Sequence, residues 1–530
     1  MTAAPDAPTS PAAVAELPER PKADWVVIGT MVAVKLALHL VVLAVTPYGI
    51  HRDEFLYLSM GRHLRFWHMD FPPLIAVLAN LSSLLFGHTL AVVRVFPALE
   101  GTAVLVLGCL IARELGGGRF AQGLTALSML AAGVFLRPSN LFQPVVLDQL
   151  WWTLALYCLV RLAREPRPRW WISFGAAVGV GLLTKFSILF FGFAALVALL
   201  LTPQRRWLRT PWPWLAAAMA LVIGSPSIVG QVALGFPVVG QMRVLQSAQL
   251  VHVTWFQFLA EQPMLVGPVP FLLAVAGAAG LVAWRPLRPF AVAGWTCIAA
   301  FALLFLLHGK SYYIGPVYPT LFAAGGVMLE RLRSARRPWW PMALRWAVVG
   351  LTVAVGVVGL PITLPLLPPA VTGAWAVRVG GGEALRTNRG NVDRLPQDFA
   401  DMLGWEQQAQ ALARVVDALP AAERDSTVIF AGNYGEAGAA EFYGPRYGLP
   451  PVVCVSGSFW FFGPGTRSGA VVITIGIDSA TVARFDGDVR PTGVIESPWS
   501  VEEERHVVLL VGRRPHATLQ ALWPGWAGIN

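Results

Sequence analysis

Apolar residues run along this chain in blocks long enough to cross a bilayer. The block from Trp25 to Val45 and the block at 348–367 each approach the roughly 20 residues that a spanning helix needs. Blocks of this kind predict about eleven spanning helices, at 25–46, 91–112, 119–136, 147–164, 169–185, 187–202, 213–233, 264–284, 289–307, 312–330 and 339–367. Between the first two, residues 54–66 and 73–87 are only partly apolar. They predict amphipathic helices lying in the membrane interface, the second opened by Pro72-Pro73. After about residue 370 the pattern changes. Residues 403–418 have the period of an amphipathic helix. Short β-branched runs at 427–431, 452–455, 471–475 and 507–511 predict strands, some of them parallel, with a helix-like stretch at 436–443. The fold class expected is a polytopic α-helical membrane protein with a C-terminal α/β domain. The expected division is a disordered cytosolic tail (1–24), a membrane domain (25–368) and an extracytoplasmic α/β domain (369–530).

Composition agrees. The chain is 55% hydrophobic and 13% charged, against about 25% charged in soluble domains. Its net charge of +10 does not indicate a nucleic-acid partner, because the arginines cluster between apolar blocks, at 113, 161–169, 205–209, 285–288 and 331–337. With an odd number of spans and a cytosolic N-terminus, all these clusters fall on the cytosolic side, as the positive-inside rule requires. Of the four cysteines, Cys109, Cys158 and Cys297 lie in apolar blocks and Cys454 in the C-terminal part. No CxxC or Cys/His spacing suggests a metal site or a disulfide framework. The first 24 residues lack a basic n-region and a cleavage site, so they read as a tail and not a signal peptide.

Charge at membrane depth costs about 2.5–3.5 kcal/mol at a helix centre, so ionisable groups at the ends of apolar blocks are informative. Asp53, Glu54, Asp70, Arg137, Asp148, Lys185 and Lys310 all converge on the face opposite the arginine clusters. A carboxylate in His51-Arg52-Asp53-Glu54 suits a general base or an interfacial acid. Asp70 reads first as a helix N-cap and second as a substrate-side group. Asp148 reads as a cap or as the partner of a cation. Lys185 and Lys310 suit phosphate oxygens or snorkelling to the interface. Tyr312, Tyr313 and Tyr318 suit an aromatic belt or hydrogen bonds to a phosphate. No Walker pattern, convincing GxGxxG or HExxH is present, which argues against ATP-driven transport.

These residues resemble a known family. Tyr48 through Tyr57, containing His51-Arg52-Asp53-Glu54, and then Asp70-Phe71-Pro72-Pro73-Leu74 resemble bacterial members of glycosyltransferase family 39. That family includes protein O-mannosyltransferases and the lipid A aminoarabinose transferase. Pro138 with Leu147-Asp148, Leu183-Thr184-Lys185, Lys310-Ser311-Tyr312-Tyr313, Asn433-Tyr434-Gly435-Glu436-Ala437-Gly438 and Gly463-Pro464 follow in the family's order. One departure is Phe71, where relatives often carry a polar residue. The resemblance implies a GT-C fold, a polyprenyl-phosphate sugar donor and a single inverting displacement in a bacterial plasma membrane. It implies Asp53 as the base, with Glu54 and Asp70 on the acceptor side and Asp148 at a motif position without an assigned role. Lys185, Lys310, Tyr313 and, more weakly, Arg137 would hold the donor phosphate. No cofactor is required; a divalent metal is compatible. The alternatives are a transporter or flippase of lipid-linked sugars, for which no paired repeat is visible, and a non-catalytic scaffold, which leaves the clustered acids and lysines unexplained.

Overall fold

The structure, a computed structural model, describes residues 17–333, 337 and 339–526. Helix α1 (Trp25–Val45) opens where Asp24 accepts a hydrogen bond from the Val27 N–H. Helices α2 (Arg52–Arg62) and α3 (Leu74–Phe86) form the predicted amphipathic pair and lead into α4 (Ala91–Glu114) and α5 (Arg119–Ala131). Further helices follow at Pro144–Arg164, Pro168–Thr184, Ile188–Leu201, Trp212–Ala233, Trp255–Val266, Pro268–Ala283, Ala291–Leu306, Tyr318–Arg331 and Trp339–Thr363. Their core is built on large side chains with no exposure, among them Trp152, Phe191, Phe290 and Phe322. Small residues let backbones meet: a Cβ added to Gly277 would lie 2.0 Å from the Leu321 carbonyl oxygen, so only glycine fits there.

Among the described residues, six helices are long and apolar enough to cross a membrane, or nine if each pair bent at a short break counts as one span. The expected count of eleven is not reached on that measure. Every predicted block does coincide with helix, but those at Pro168–Thr184 and Tyr318–Arg331 have 17 and 14 residues. The chain is a multi-pass membrane protein in either count. Between the predicted blocks 213–233 and 264–284 lies a further helix, Pro237–Ala248, on which no residue is buried. Gly235 (φ 74°) and Phe236 (φ 60°) make the left-handed reversal before it.

Of the tail expected to be disordered, residues 1–16 lie outside the described residues. Residues 17–24 are instead extended chain fastened to the bundle. Arg164 donates to the Pro18 carbonyl, Arg113 to the Pro21 carbonyl, and Arg20 pairs with the buried Glu114 carboxylate at 2.7 Å. The basic cluster thus supplies donors that the sequence reading assigned only to topology.

The C-terminal part folds around five strands, β1 (Thr427–Ala431), β2 (Val452–Cys454), β3 (Val471–Ile475), β4 (Val489–Glu496) and β5 (His506–Gly512), in the order β2-β1-β3-β5-β4. β2, β1 and β3 are parallel; β3, β5 and β4 are antiparallel. β4 was not expected. It is an exposed edge strand carrying Pro491 and Gly493 with a register shift between them, so backbone pairing sets it and not an apolar pattern.

This unit is docked on α2. The helix Tyr434–Tyr447 presents Gly435 and Gly438 to it, where an added Cβ would lie 2.7 Å from Arg52 Cγ and 2.7 Å from Phe55 Cβ. Phe55, fully buried, meets Trp405 and Phe442 edge-on with ring centroids 5.9 and 5.8 Å apart. Backbone bonds add to this: Gly49 N–H donates to the Met402 carbonyl and Arg52 N–H to the Asp401 carbonyl. One apolar cluster runs from Met60 and Ile75 through Trp405 to Ile429 and Ile473, crossing the expected boundary between domains.

Candidate active site

Asp53 lies in the first turn of α2, and His51 fixes where that turn begins. His51 Nδ1 accepts from the Asp53 N–H (3.0 Å) and Glu54 Oε2 accepts from the His51 N–H (2.6 Å), closing a capping box. An imidazole accepting at Nδ1 carries its proton on Nε2, which faces Asp401 Oδ2 at 3.7 Å. Burial pushes the Asp401 carboxyl up to about 7, against the pull of His51 and Arg52. Glu54 has no exposure. Its Oε1 accepts from Arg94 (2.6 Å) and from the Phe142 N–H (2.7 Å), so both oxygens are occupied by protein donors. Asp53 itself is half-buried; Oδ1 accepts from the Tyr434 hydroxyl (2.8 Å) and Oδ2 from Gln143 Nε2 (3.3 Å).

Asp70 is not an N-cap. The hydrogen-bonded turns of α3 begin only at Leu74, with Pro73 at the cap and no side-chain bond there. Asp70 instead bridges two elements: its Oδ2 accepts from Ser458 of the C-terminal unit (2.8 Å) and from Gln241 of the helix Pro237–Ala248 (3.3 Å). Burial raises its carboxyl to about 6, and these hydrogen bonds draw it part of the way back. Asp148 does not cap its helix either, since Pro144–Arg164 takes Gln143 as N-cap. Its Oδ1 accepts from Ser187 (2.7 Å), and the Lys185 charge faces it.

Lys185 ends the helix Pro168–Thr184, and Lys310 precedes the turn Ser311–Val317. Both ammonium groups point at one pair of tyrosines. Lys185 Nζ is 4.2 Å from the Tyr313 ring centroid and 5.9 Å from that of Tyr312; Lys310 Nζ is 6.0 Å from that of Tyr312. The two rings stand edge to face at 4.8 Å. Tyr318 belongs elsewhere, its hydroxyl donating to Gln262 (2.8 Å). Among the described residues neither lysine has an ion pair. Burial lowers the Lys310 pKa, while Tyr313 and Asp53 pull it the other way. Arg137 is already engaged, donating to Asp398 (3.2 Å) and to the Ile362 carbonyl (2.7 Å).

Arg137, Lys310 and Tyr312 open onto a cavity of about 1150 Å³. One wall is apolar, from Val355, Val358 and Ile362 on the helix Trp339–Thr363. Glu261, Arg386 and Arg389 also line the cavity. Such a cavity suits a ligand with a hydrocarbon part and a charged head. Among the described residues no three His, Cys, Asp or Glu side chains gather as metal ligands.

Sequence reasoning singled out Asp53 and both lysines; it named Tyr434 only within a family motif and gave no role to Tyr434, Gln143, Asp401 or Arg94. Arg94 had a signal, a charge inside the apolar block 91–112. Asp401 had none, because its role depends on a docking partner hundreds of residues away.

Residues 70–229 match the family model described as dolichyl-phosphate-mannose-protein mannosyltransferase. No curated protein sequence matches the chain significantly. Two solved structures of ArnT from Cupriavidus metallidurans are similar. The one bound to undecaprenyl phosphate superposes with a TM-score of 0.58 at 18% identity over 92% of this chain and 98% of that one. The apo form gives 0.57 at 19% over 92% and 97%. By fold the chain is therefore a GT-C-type membrane protein, and residues 70–229 carry the segment recognised by the mannosyltransferase family model.

Proposed function

We propose that this protein is an inverting glycosyltransferase that moves a sugar from a polyprenyl-phosphate donor to an acceptor hydroxyl. The observation that carries the reading is the placement of two ammonium groups, Lys185 and Lys310, without an ion pair among the described residues, against the Tyr312–Tyr313 pair, with Lys310 and Tyr312 lining an amphipathic cavity. Asp53 lies close enough to interact with the Lys310 charge. The ArnT structure with undecaprenyl phosphate supports a donor of the same chemistry.

In this reaction Asp53 takes the proton of the acceptor hydroxyl as its oxygen attacks the anomeric carbon. The bond from that carbon to the phosphate oxygen breaks, and the polyprenyl phosphate leaves as an anion. Lys185, Lys310 and the Tyr313 hydroxyl stabilise the charge that grows on it, with Arg137 at the rim. A stabilised phosphate leaving group needs no general acid, and a divalent metal is compatible but not required. Glu54 supports the helix start carrying the base, Asp70 orders the acceptor side, and Asp148 orients Lys185 through its charge.

We assign the site to the outer face of a bacterial inner membrane, with the N-terminus cytosolic. The division at about residue 368 separates the membrane domain from an extracytoplasmic one. The arginine clusters support this orientation. The test is turnover of radiolabelled polyprenyl-phosphate sugars in membranes holding wild-type protein or Asp53→Asn. One donor should be consumed by wild type and the variant should lose about 10²–10⁴-fold, the usual contribution of general base catalysis. Equal turnover in the two removes Asp53 as the base.

A further inference from the structure

The Asn433–Gly438 motif has no part in the chemistry above, yet it delivers a hydroxyl to the base. We infer that Tyr434, supplied by the C-terminal unit, is a positioning residue that fixes the Asp53 carboxylate for proton abstraction; this rests on the transferase reading of Asp53.

The geometry is specific. Tyr434 is the first residue of its helix, and its hydroxyl donates to Asp53 Oδ1 at 2.8 Å. The Arg52 guanidinium lies over the same ring, 5.0 Å from its centroid, and pairs with Glu503 at 2.9 Å. The helix start is locked. Asn433 Oδ1 accepts from the Gly435 and Glu436 N–H groups (2.9 and 3.1 Å), and Glu436 Oε2 accepts from the Asn433 N–H (3.1 Å). The missing side chains at Gly435 and Gly438 let this helix approach α2 closely enough for the phenol to reach the carboxylate.

A carboxylate has two oxygens and rotates about its terminal bond unless both are engaged. The phenol is the shorter bond, on Oδ1, and the Gln143 amide the longer one, on Oδ2. Tyr434 therefore holds the plane of the group and leaves Oδ2, with its weaker partner, to take the acceptor proton. The charged and titratable groups that interact with this carboxylate are His51 before its helix and Tyr57 on it, Lys310 just before the turn Ser311–Val317 and Tyr312 within it, and Asp401 and Tyr434 from the C-terminal unit.

The test is a double-mutant cycle on the full-length protein in membranes, with turnover and donor KM measured for Tyr434→Phe, Asp53→Asn and the pair. The proposal expects Tyr434→Phe to lower kcat by about 10–100-fold, the range in which misplacement of a reacting group is felt, with donor KM changed less than about twofold. In the Asp53→Asn background it should change nothing further, because the hydroxyl acts only through that carboxylate. Additive losses, or a wild-type kcat in Tyr434→Phe with Asp53→Asn inactive, overturn the Tyr434 assignment alone. Full turnover by Asp53→Asn overturns the transferase role of Asp53 and this assignment with it. Should Tyr434→Phe fail to fold, 3,5-difluorotyrosine at position 434 keeps the shape and acidifies the phenol. Its turnover should fall at lower alkaline pH than that of wild type, and an unmoved alkaline limb overturns the proposal.

Discussion

Lys185 and Lys310 hold ammonium groups against tyrosine faces, with no carboxylate paired to either among the described residues. A partly buried cation with no carboxylate in direct contact is ready to bind an anion. Lys310→Ala is therefore expected to raise the donor KM by about tenfold or more, the equivalent of roughly 1.4 kcal/mol. Lys310→Arg should recover part of that loss; initial rates across donor concentrations check both. Asp70 gives a pH prediction. Its carboxyl titrates near 6 in the folded protein and near 3.8 unfolded, so between those values the folded state binds more protons. Stability then falls as pH rises from about 4 to about 6, by an amount on the order of 3 kcal/mol. Melting temperatures over that range should show the fall in wild type, and a shallower one in Asp70→Asn.

At the scale of elements, the contact of α2 with the helix Tyr434–Tyr447 decides whether the site exists. Gly438→Val would push a branched side chain into Phe55, an overpacking that costs about 1–3 kcal/mol. Lower melting temperature and lost turnover are expected together. How far elements were legible follows from the same physics. β1 and β3 are fully buried strands of β-branched residues and matched expectation. The pair α2 and α3 matched within a few residues. β4 was hidden because an exposed edge strand needs no apolar pattern, and the helix Pro237–Ala248 because it buries nothing. Asp53 and the lysines were legible as charges beside apolar blocks. Asp70 was misread because its partner Ser458 lies 388 residues away.

For the whole molecule, orientation is the property to measure. The four native cysteines are all buried, so Cys454, although it lies in the polar C-terminal part, is closed to a labelling reagent in the folded protein. They do leave a silent background for an introduced thiol. Glu496, with 68% of its side chain exposed, is suitable. Glu496→Cys should react with an impermeant maleimide in intact spheroplasts if the C-terminal unit is extracytoplasmic. Labelling only after lysis would place it in the cytosol.

The bond between Tyr434 and Asp53 joins residues 381 positions apart. During synthesis at about 5–20 residues per second, the base emerges roughly 20–80 s before the residue that steadies it. Until the last third of the chain has been made and has folded onto α2, a nascent copy carries its carboxylate without the phenol. If the phenol positions the base as proposed, such a copy turns over donor about 10–100-fold more slowly than one whose C-terminal unit has folded onto α2.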